Sequence, residues 1–429
     1  MNLSKIVWRN VKRRRLSSAL TAISVSLGVA LFVSIGVLRD ASEQGFQRTA
    51  GLCDTIVGAK GDGLQLSLNT LYHMGFSAGN ISLDSYQQIS KHDGVEWAVP
   101  IALGDSYRGY RIVGVSAEFF DNIKVGDLQS LRFDAGDAFD YSAATFIKDH
   151  LHMFDGHGHH LNTEGLYQAV VGAEVAKRLK LKVGDQITPA HGVEATTKQH
   201  HEATSEIVGI LATTGTPIDR AIYLPIISYY LMEGHESDDH GDFTGTRDAR
   251  GISAIMMATK SGYYRQQIYR AVNNRLDAMA VFPSTEMKKL FSLIGNGDLA
   301  LRLISLLVII VALVGVLVSL YNAMGARRKE FAIFRALGAS RLMVLSIVSL
   351  ESSIIACSGA LLGLLFSTIA IHFLAIELHA VSGVTMNTSF GANEIAIIIS
   401  VTFAGAFAGL IPALEAYRTE ASQQLSRNE

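Results

Sequence analysis

Four apolar runs, each long enough to cross a bilayer as a helix, constrain this chain more than any other feature. A hydrocarbon core needs roughly 20 consecutive apolar residues in helical form. Leu16–Leu38 and Leu303–Ala326 carry no charged residue. Leu342–Ile376 holds one acid, Glu351, and one histidine, His372, and Ile395–Leu414 holds no charge. The first run is too long for the apolar part of a secretory signal, and no clear small-x-small site follows it, so it reads as a retained anchor.

The spans divide the chain into 16–38, 301–326, 342–376 and 395–414, with a large insertion at 39–300 and a short connection at 377–394. The 429 residues suffice for two or three domains. Half of them are hydrophobic (49%) and the mean hydropathy is +0.26. A net charge of -2 leaves no overall basic field, so nucleic acid is not an expected partner. The two cysteines, Cys53 and Cys357, offer no disulfide framework.

Lys and Arg near the span ends set the expected orientation. Lys5, Arg9, Lys12, Arg13, Arg14 and Arg15 precede the first span. Arg327, Arg328, Lys329, Arg335 and Arg341 lie between the second and third, and Arg418 and Arg427 follow the fourth. The 377–394 connection has neither residue type. Both termini and the 327–341 segment are therefore expected in the cytoplasm, with 39–300 and 377–394 outside. Residues 1–15 read as an amphipathic helix in the membrane interface, with Leu3, Ile6 and Val7 on one face and Trp8 at headgroup depth.

The 327–340 stretch, RRKEFAIFRALGAS, is compact, charged and helix-favouring between two apolar spans. Phe331, Phe334 and Leu337 repeat at helical spacing, and Gly338 is expected to end the helix. Two readings stand on pattern alone: an interfacial helix that satisfies the positive-inside rule, and a docking helix that offers aromatic side chains to a cytoplasmic partner.

These residues carry a family resemblance. SKIVWRNVKRRRLSSALTAISVSLGVAL resembles the opening of FtsX/MacB/LolC-type ABC transporter permeases of the mechanotransmission class, and RRKEFAIFRALGAS is similar to their most specific signature. LESSIIACSGALLGLLFS resembles their third span, and GLIPALEAYRTEASQQL their closing segment, where a proline follows the last span. VVGAEVAKRLKLKVGDQIT (170–188) resembles a helix and a strand entering at V-G-D, and SEIVGILATTGTPIDRAIYLP (205–225) the strand pair after it. Residues 140–165 and 190–203 look like insertions. The resemblance implies an α+β chain: four transmembrane helices, with a large mixed α/β extracytoplasmic domain between the first and second. It implies two copies of a separate ATPase that binds the ATP, and a second permease copy or a paralogue. It also implies a coupling helix seated on that ATPase, carried here by Arg328, Glu330, Phe331, Phe334, Arg335, Leu337 and Gly338.

No Walker A loop is present; GAKGDG at 58–63 lacks the Lys-Ser/Thr pair that phosphate and Mg²⁺ require. No G-x-S-x-G elbow or H-E-x-x-H occurs either, so the chain is not expected to be an enzyme. Glu351, an ionisable group inside a span, has two readings: a structural pair with Arg327 or Arg328 near the cytoplasmic boundary, or a substrate or proton role.

Ten of the fourteen histidines lie between residues 150 and 240. His150, His152, Asp155, His157, His159 and His160 form one group; His191, His200 and His201 a second; His235 and His240 a third. Imidazole and carboxylate suit Zn²⁺ and similar ions. The spacings match no structural zinc motif, so solvated, glycine-broken loops are the competing reading. The expected function is an inner-membrane ABC permease subunit linked to zinc or divalent-metal uptake or homeostasis, with a periplasmic binding or accessory protein and membrane lipids as further partners. The alternatives are lipoprotein release or small-molecule efflux, and a scaffold that activates a cell-wall hydrolase.

Overall fold

The computed structural model describes residues 3–126, 129–153, 166–189, 204–230, 251–336, 339–388 and 390–418. Helices α1 (Leu3–Arg13) and α2 (Arg15–Ala50) come first, followed by β1 (Thr55–Ala59), α3 (Gly63–Tyr72), α4 (Leu83–Ser90), β2 (Val95–Tyr107) and β3 (Tyr110–Val115). Then come α5 (Glu118–Asn122), β4 (Lys124–Val125), β5 (Gln129–Ser130), β6 (Phe133–Gly136), α6 (Ala143–Met153), β7 (Gln168–Val171), α7 (Ala173–Leu179), β8 (Gln186–Ile187) and β9 (Ser205–Leu211). A 3-10 turn (Pro217–Arg220) leads into β10 (Ala221–Pro225), α8 (Ile226–Tyr230), β11 (Ala254–Thr259), α9 (Gly262–Asn273) and β12 (Ala278–Val281). Three long helices close the chain: α10 (Pro283–Ala336), α11 (Arg341–Ser382) and α12 (Ala392–Arg418).

These elements form two compact units. One comprises Met1–Ala41, Leu293–Glu377 and Asn387–Glu429; the other comprises Ser42–Ser292 and Leu378–Met386. Among the described residues, the first holds four apolar helices that are long enough to span a membrane: α2, α10, α11 and α12. Its core is a valine-rich seam, with Val25, Val29 and Val33 of α2 packed with Ile309, Ala312 and Val316 of α10 and Val344, Val348 and Ile355 of α11. Between membrane helices the driving force is close packing rather than water exclusion, so small residues mark the contacts. A Cβ at Gly359 would lie 2.8 Å from the Ala22 carbonyl oxygen, and one at Gly363 2.7 Å from that of Ser26. These two positions, one helical turn apart on α11, let its backbone lie against α2.

The second unit is built on a mixed ten-stranded sheet in the order β12-β1-β11-β2-β3-β10-β7-β9-β6, with β8 paired to β9; β4 and β5 form a separate hairpin. The β3–β10 and β7–β9 pairs are parallel and the others antiparallel. β9 shows the two-residue period of a strand with a buried face: Ile207, Gly209 and Leu211 point inward. β9 and β10 are not neighbours, as the sequence reading of 205–225 as a strand pair expects, because β7 lies between them.

All four long helices extend past their apolar runs, α11 running on from Ile376 to Ser382. α2 continues from Leu38 to Ala50, and residues 283–302 precede the second apolar run within α10. Ala50, Met287 and Phe291 are buried in the α/β unit, so these extensions are held by packing rather than by lipid. α12 continues past Pro412 to Arg418, so that proline lies inside the last helix instead of after it.

Candidate transmission sites

The chemistry-bearing residues gather at three places along the long helices. The first is the junction of α1 and α2. Arg14 Nη2 donates to the Ser319 carbonyl oxygen of α10 at 2.6 Å, and the Ser17 and Ser319 hydroxyls lie 2.7 Å apart. Trp8 on α1 is 64% exposed, while Val7 beside it is buried, so the helix packs on one side and leaves the indole uncovered.

α10 runs on from Ser319 without a break through Arg328, Glu330, Phe331, Phe334 and Arg335 to Ala336. Sequence reading separates a span ending at 326 from a segment beginning at 327; the backbone makes them one helix, since Ala, Arg, Lys and Glu all favour that conformation. Leu337 and Gly338 lie outside the described residues. The next helix begins with a side-chain cap: the Met343 amide donates to Ser340 Oγ at 3.2 Å. Ser340, the last residue of the signature, thus satisfies one of the free amides at the start of α11.

The second place is within the membrane unit, where the apolar runs of α2 and α10 end. Asp298 Oδ2 is 2.6 Å from Arg39 Nη1 and 2.9 Å from Arg302 Nε. Asp298 is buried, and both arginines are about one-third exposed (33% and 32%). Composition marks these charges only as span-flanking residues. Their mutual pairing depends on the facing of two helices far apart in sequence.

The third place is in the α/β unit. Residues Leu378–Met386, the last turn of α11 and the segment after it, cluster with this unit. His379 Nε2 lies 3.1 Å from Glu174 Oε2 on α7. Glu174 Oε1 lies 2.9 Å from Arg178 Nε and 3.5 Å from Arg220 Nε. Arg220 Nη1 also donates to the His379 carbonyl oxygen at 3.4 Å. The strap is pinned further along: the Thr385 amide donates to the Gly215 carbonyl oxygen at 3.1 Å, and Val384 is buried in the main core of the unit.

The loop that receives the strap is itself braced. Asp219 accepts hydrogen bonds from the amides of Thr214 and Gly215, both at 2.8 Å, and from the Thr214 hydroxyl at 2.7 Å. Burial raises the Asp219 carboxyl above its ordinary range, against the pull of these donors. Gly172, at the start of α7, meets this loop so closely that a Cβ would sit 2.5 Å from the Asp219 and Ile218 carbonyl oxygens. Sequence reading passes over 377–394 as a short connection and leaves His379 out of its histidine groups.

Glu351 is buried on α11 (1% exposed), with Ser352 also buried beside it. The side chains of Arg327 and Arg328 lie outside the described ones. His150 and His152 are carried on the backbone of α6, with their side chains likewise outside the description. Asp155, His157, His159, His160, His191, His200, His201, His235 and His240 lie outside the described residues. Among the described residues, no group of three or more His, Cys, Asp or Glu is placed to hold a metal ion. Cys53 is buried, which pushes its thiol pKa far up, and both cysteines are free.

Residues 302–421 match the family model described as FtsX-like permease C-terminal, and residues 18–275, more than half of the chain, match that of the MacB-like periplasmic core domain. The chain is similar to the crystal structure of the periplasmic region of MacB from Actinobacillus actinomycetemcomitans, at 11% identity and a TM-score of 0.33, over 58% of this chain and 94% of that one. It is also similar to the extracellular domain of the noncanonic ABC-type transporter YknZ from Gram-positive bacteria, at 14% identity and a TM-score of 0.30, over 53% of this chain and 100% of that one. No curated protein matches it. With four membrane-length helices and a mixed α/β domain after the first of them, the chain belongs to the FtsX/MacB-type ABC permeases, as a multi-pass membrane protein with a periplasmic domain.

Proposed function

We propose that this permease lies in the bacterial inner membrane with both termini in the cytoplasm and transmits the movement of a separate ATPase to its periplasmic domain. Two copies of the ATPase engage two permease chains, a second copy or a paralogue, through the 327–340 segment. The observation that carries this reading is the single helix α10. Its first turns are packed in the core of the α/β unit, and its last turns carry Arg328, Phe331, Phe334 and Arg335. A helix held by unbroken backbone hydrogen bonds is a stiff element, so a push at one end arrives at the other. The ATP is bound by the partner; this chain contributes the lever. Cysteine cross-linking tests the seat: a cysteine at position 334 joins the ATPase in the assembled complex on this reading, and no cross-link at any position from 328 to 335 overturns it.

The histidine-bearing segments favour zinc or another divalent ion as the cargo or signal handled through a periplasmic partner. Growth of a strain lacking the gene in zinc-chelated medium tests this. Rescue by the wild type but not by a chain with the ten histidines replaced supports the metal reading. Equal rescue by both turns attention to lipoprotein release, efflux or activation of a cell-wall hydrolase.

A further inference from the structure

One carboxylate serves two guanidiniums at the periplasmic-domain end of the spans. Asp298 neutralises one positive charge, so the Arg39–Asp298–Arg302 cluster keeps a second. The cluster is not closed on itself: both arginines are about one-third exposed, and Arg39 Nε and Asp298 Oδ1 lack hydrogen-bond partners. Asp40, the next carboxylate on α2, is exposed, and it lies about 100° round the helix from Arg39. Each arginine crosses a glycine of the opposing helix. A Cβ at Gly36 would lie 3.7 Å from Arg302 Nη2, and one at Gly295 3.7 Å from Arg39 Nη2. No side chain at either position covers the guanidiniums from that side.

The level of the cluster matters as much as its charge. Arg39 follows directly on the apolar run Leu16–Leu38, and Arg302 directly precedes Leu303–Ala326. Both therefore sit where the hydrocarbon gives way to headgroups. Large apolar side chains are exposed on both sides of Arg302 along α10: Leu299, Leu301, Leu303 and Ile304. A guanidinium fork matches a phosphate geometrically and hydrogen-bonds it with charge assistance. A ligand with phosphate at the cluster and alkyl chain along Leu303 and Ile304 satisfies both features; free phosphate satisfies only the first.

We propose that Arg39 and Arg302 bind the headgroup phosphate of an anionic phospholipid in the outer leaflet, while Asp298 holds the two guanidiniums in place. The site ties a lipid to the two helices that lead into the periplasmic domain.

The test is native mass spectrometry of the full chain after reconstitution in nanodiscs of mixed phosphatidylcholine and phosphatidylglycerol. The wild type retains phosphatidylglycerol preferentially. The preference falls about fivefold for each arginine replaced in Arg39→Gln and Arg302→Gln. Arg39→Lys and Arg302→Lys keep part of it. Asp298→Asn, whose amide oxygen still accepts from the guanidiniums while the charge that repels phosphate is gone, keeps or raises it, whereas a purely structural ion cluster predicts no lipid preference in any chain. Addition of inorganic phosphate separates the two sources of the group: displacement of the lipid only by phosphatidylglycerol vesicles supports a lipid site, and equal displacement by millimolar phosphate overturns it. Equal retention of the two lipids by the wild type also overturns the proposal.

Discussion

His379 Nε2 lies 3.1 Å from Glu174 Oε2, which fastens the residues just after the third span to helix α7 of the α/β unit. A connection that appears on sequence to be a short turn between membrane helices is thus part of the periplasmic core. The unit is attached to the membrane helices by three chain segments: α2, α10 and this strap.

Glu174→Gln removes the charge that Arg178, Arg220 and His379 share. The expected cost is about 0.5–3 kcal/mol, because Arg178 and Arg220 lose the charge they pair with in a partly buried setting. Hydrogen exchange checks it: the amides of 378–386 exchange faster in the variant, and those of β1 and β11 do not. Unchanged exchange along the strap would mean that Val384 and the Thr385–Gly215 hydrogen bond hold it alone.

Gly172→Ala puts a methyl group 2.5 Å from two backbone carbonyl oxygens. Neither oxygen is the free end of a flexible side chain, so α7 or the 216–220 turn must shift. A loss of about 1–3 kcal/mol in domain stability is expected, measured by thermal or chemical unfolding. Gly172 has φ -66°, so the clash acts without any strain from a left-handed backbone.

His73 gives the periplasmic domain an acid-sensitive component. Burial, and secondarily the Arg111 charge, lower its pKa from 6.5 to about 4. Both ring nitrogens are buried without hydrogen-bond partners, although the residue as a whole is partly exposed. The folded state therefore holds the neutral ring, while the unfolded chain binds a proton near pH 6.5. The contribution is fully present above pH 6.5 and is lost as pH falls toward 4, by up to about 3 kcal/mol. His73→Asn, which tolerates the left-handed backbone there, flattens the stability curve between those two values. A curve of unchanged slope would place the acid sensitivity elsewhere.

Much of this architecture is legible in the sequence because apolar runs of membrane length have no alternative use. The ends of the helices are less legible. α2 runs 12 residues past Leu38 into a polar stretch, where hydropathy falls but helix packing against Phe291 and Tyr72 continues. Sheet order is hidden for a different reason. β3 pairs in parallel with β10 across more than a hundred intervening residues, and neither strand's alternation records its neighbour. The two charge clusters are hidden in the same way: Arg39 and Asp298, or Glu174 and His379, carry no local pattern that links them. The helical spacing of Phe331 and Phe334 is matched by the backbone, since both lie on α10.

The central claim, that ATPase movement passes through the end of α10 to the periplasmic domain, is tested most directly by distance. Spin labels at Leu276, an exposed site in the periplasmic domain, report the separation of two permease copies in the assembled complex by double electron–electron resonance. The account predicts that ATP shifts this distance in the wild type and leaves it fixed in Phe334→Asp, with both chains still assembled with the ATPase. An ATP-driven shift of the same size in Phe334→Asp would contradict it.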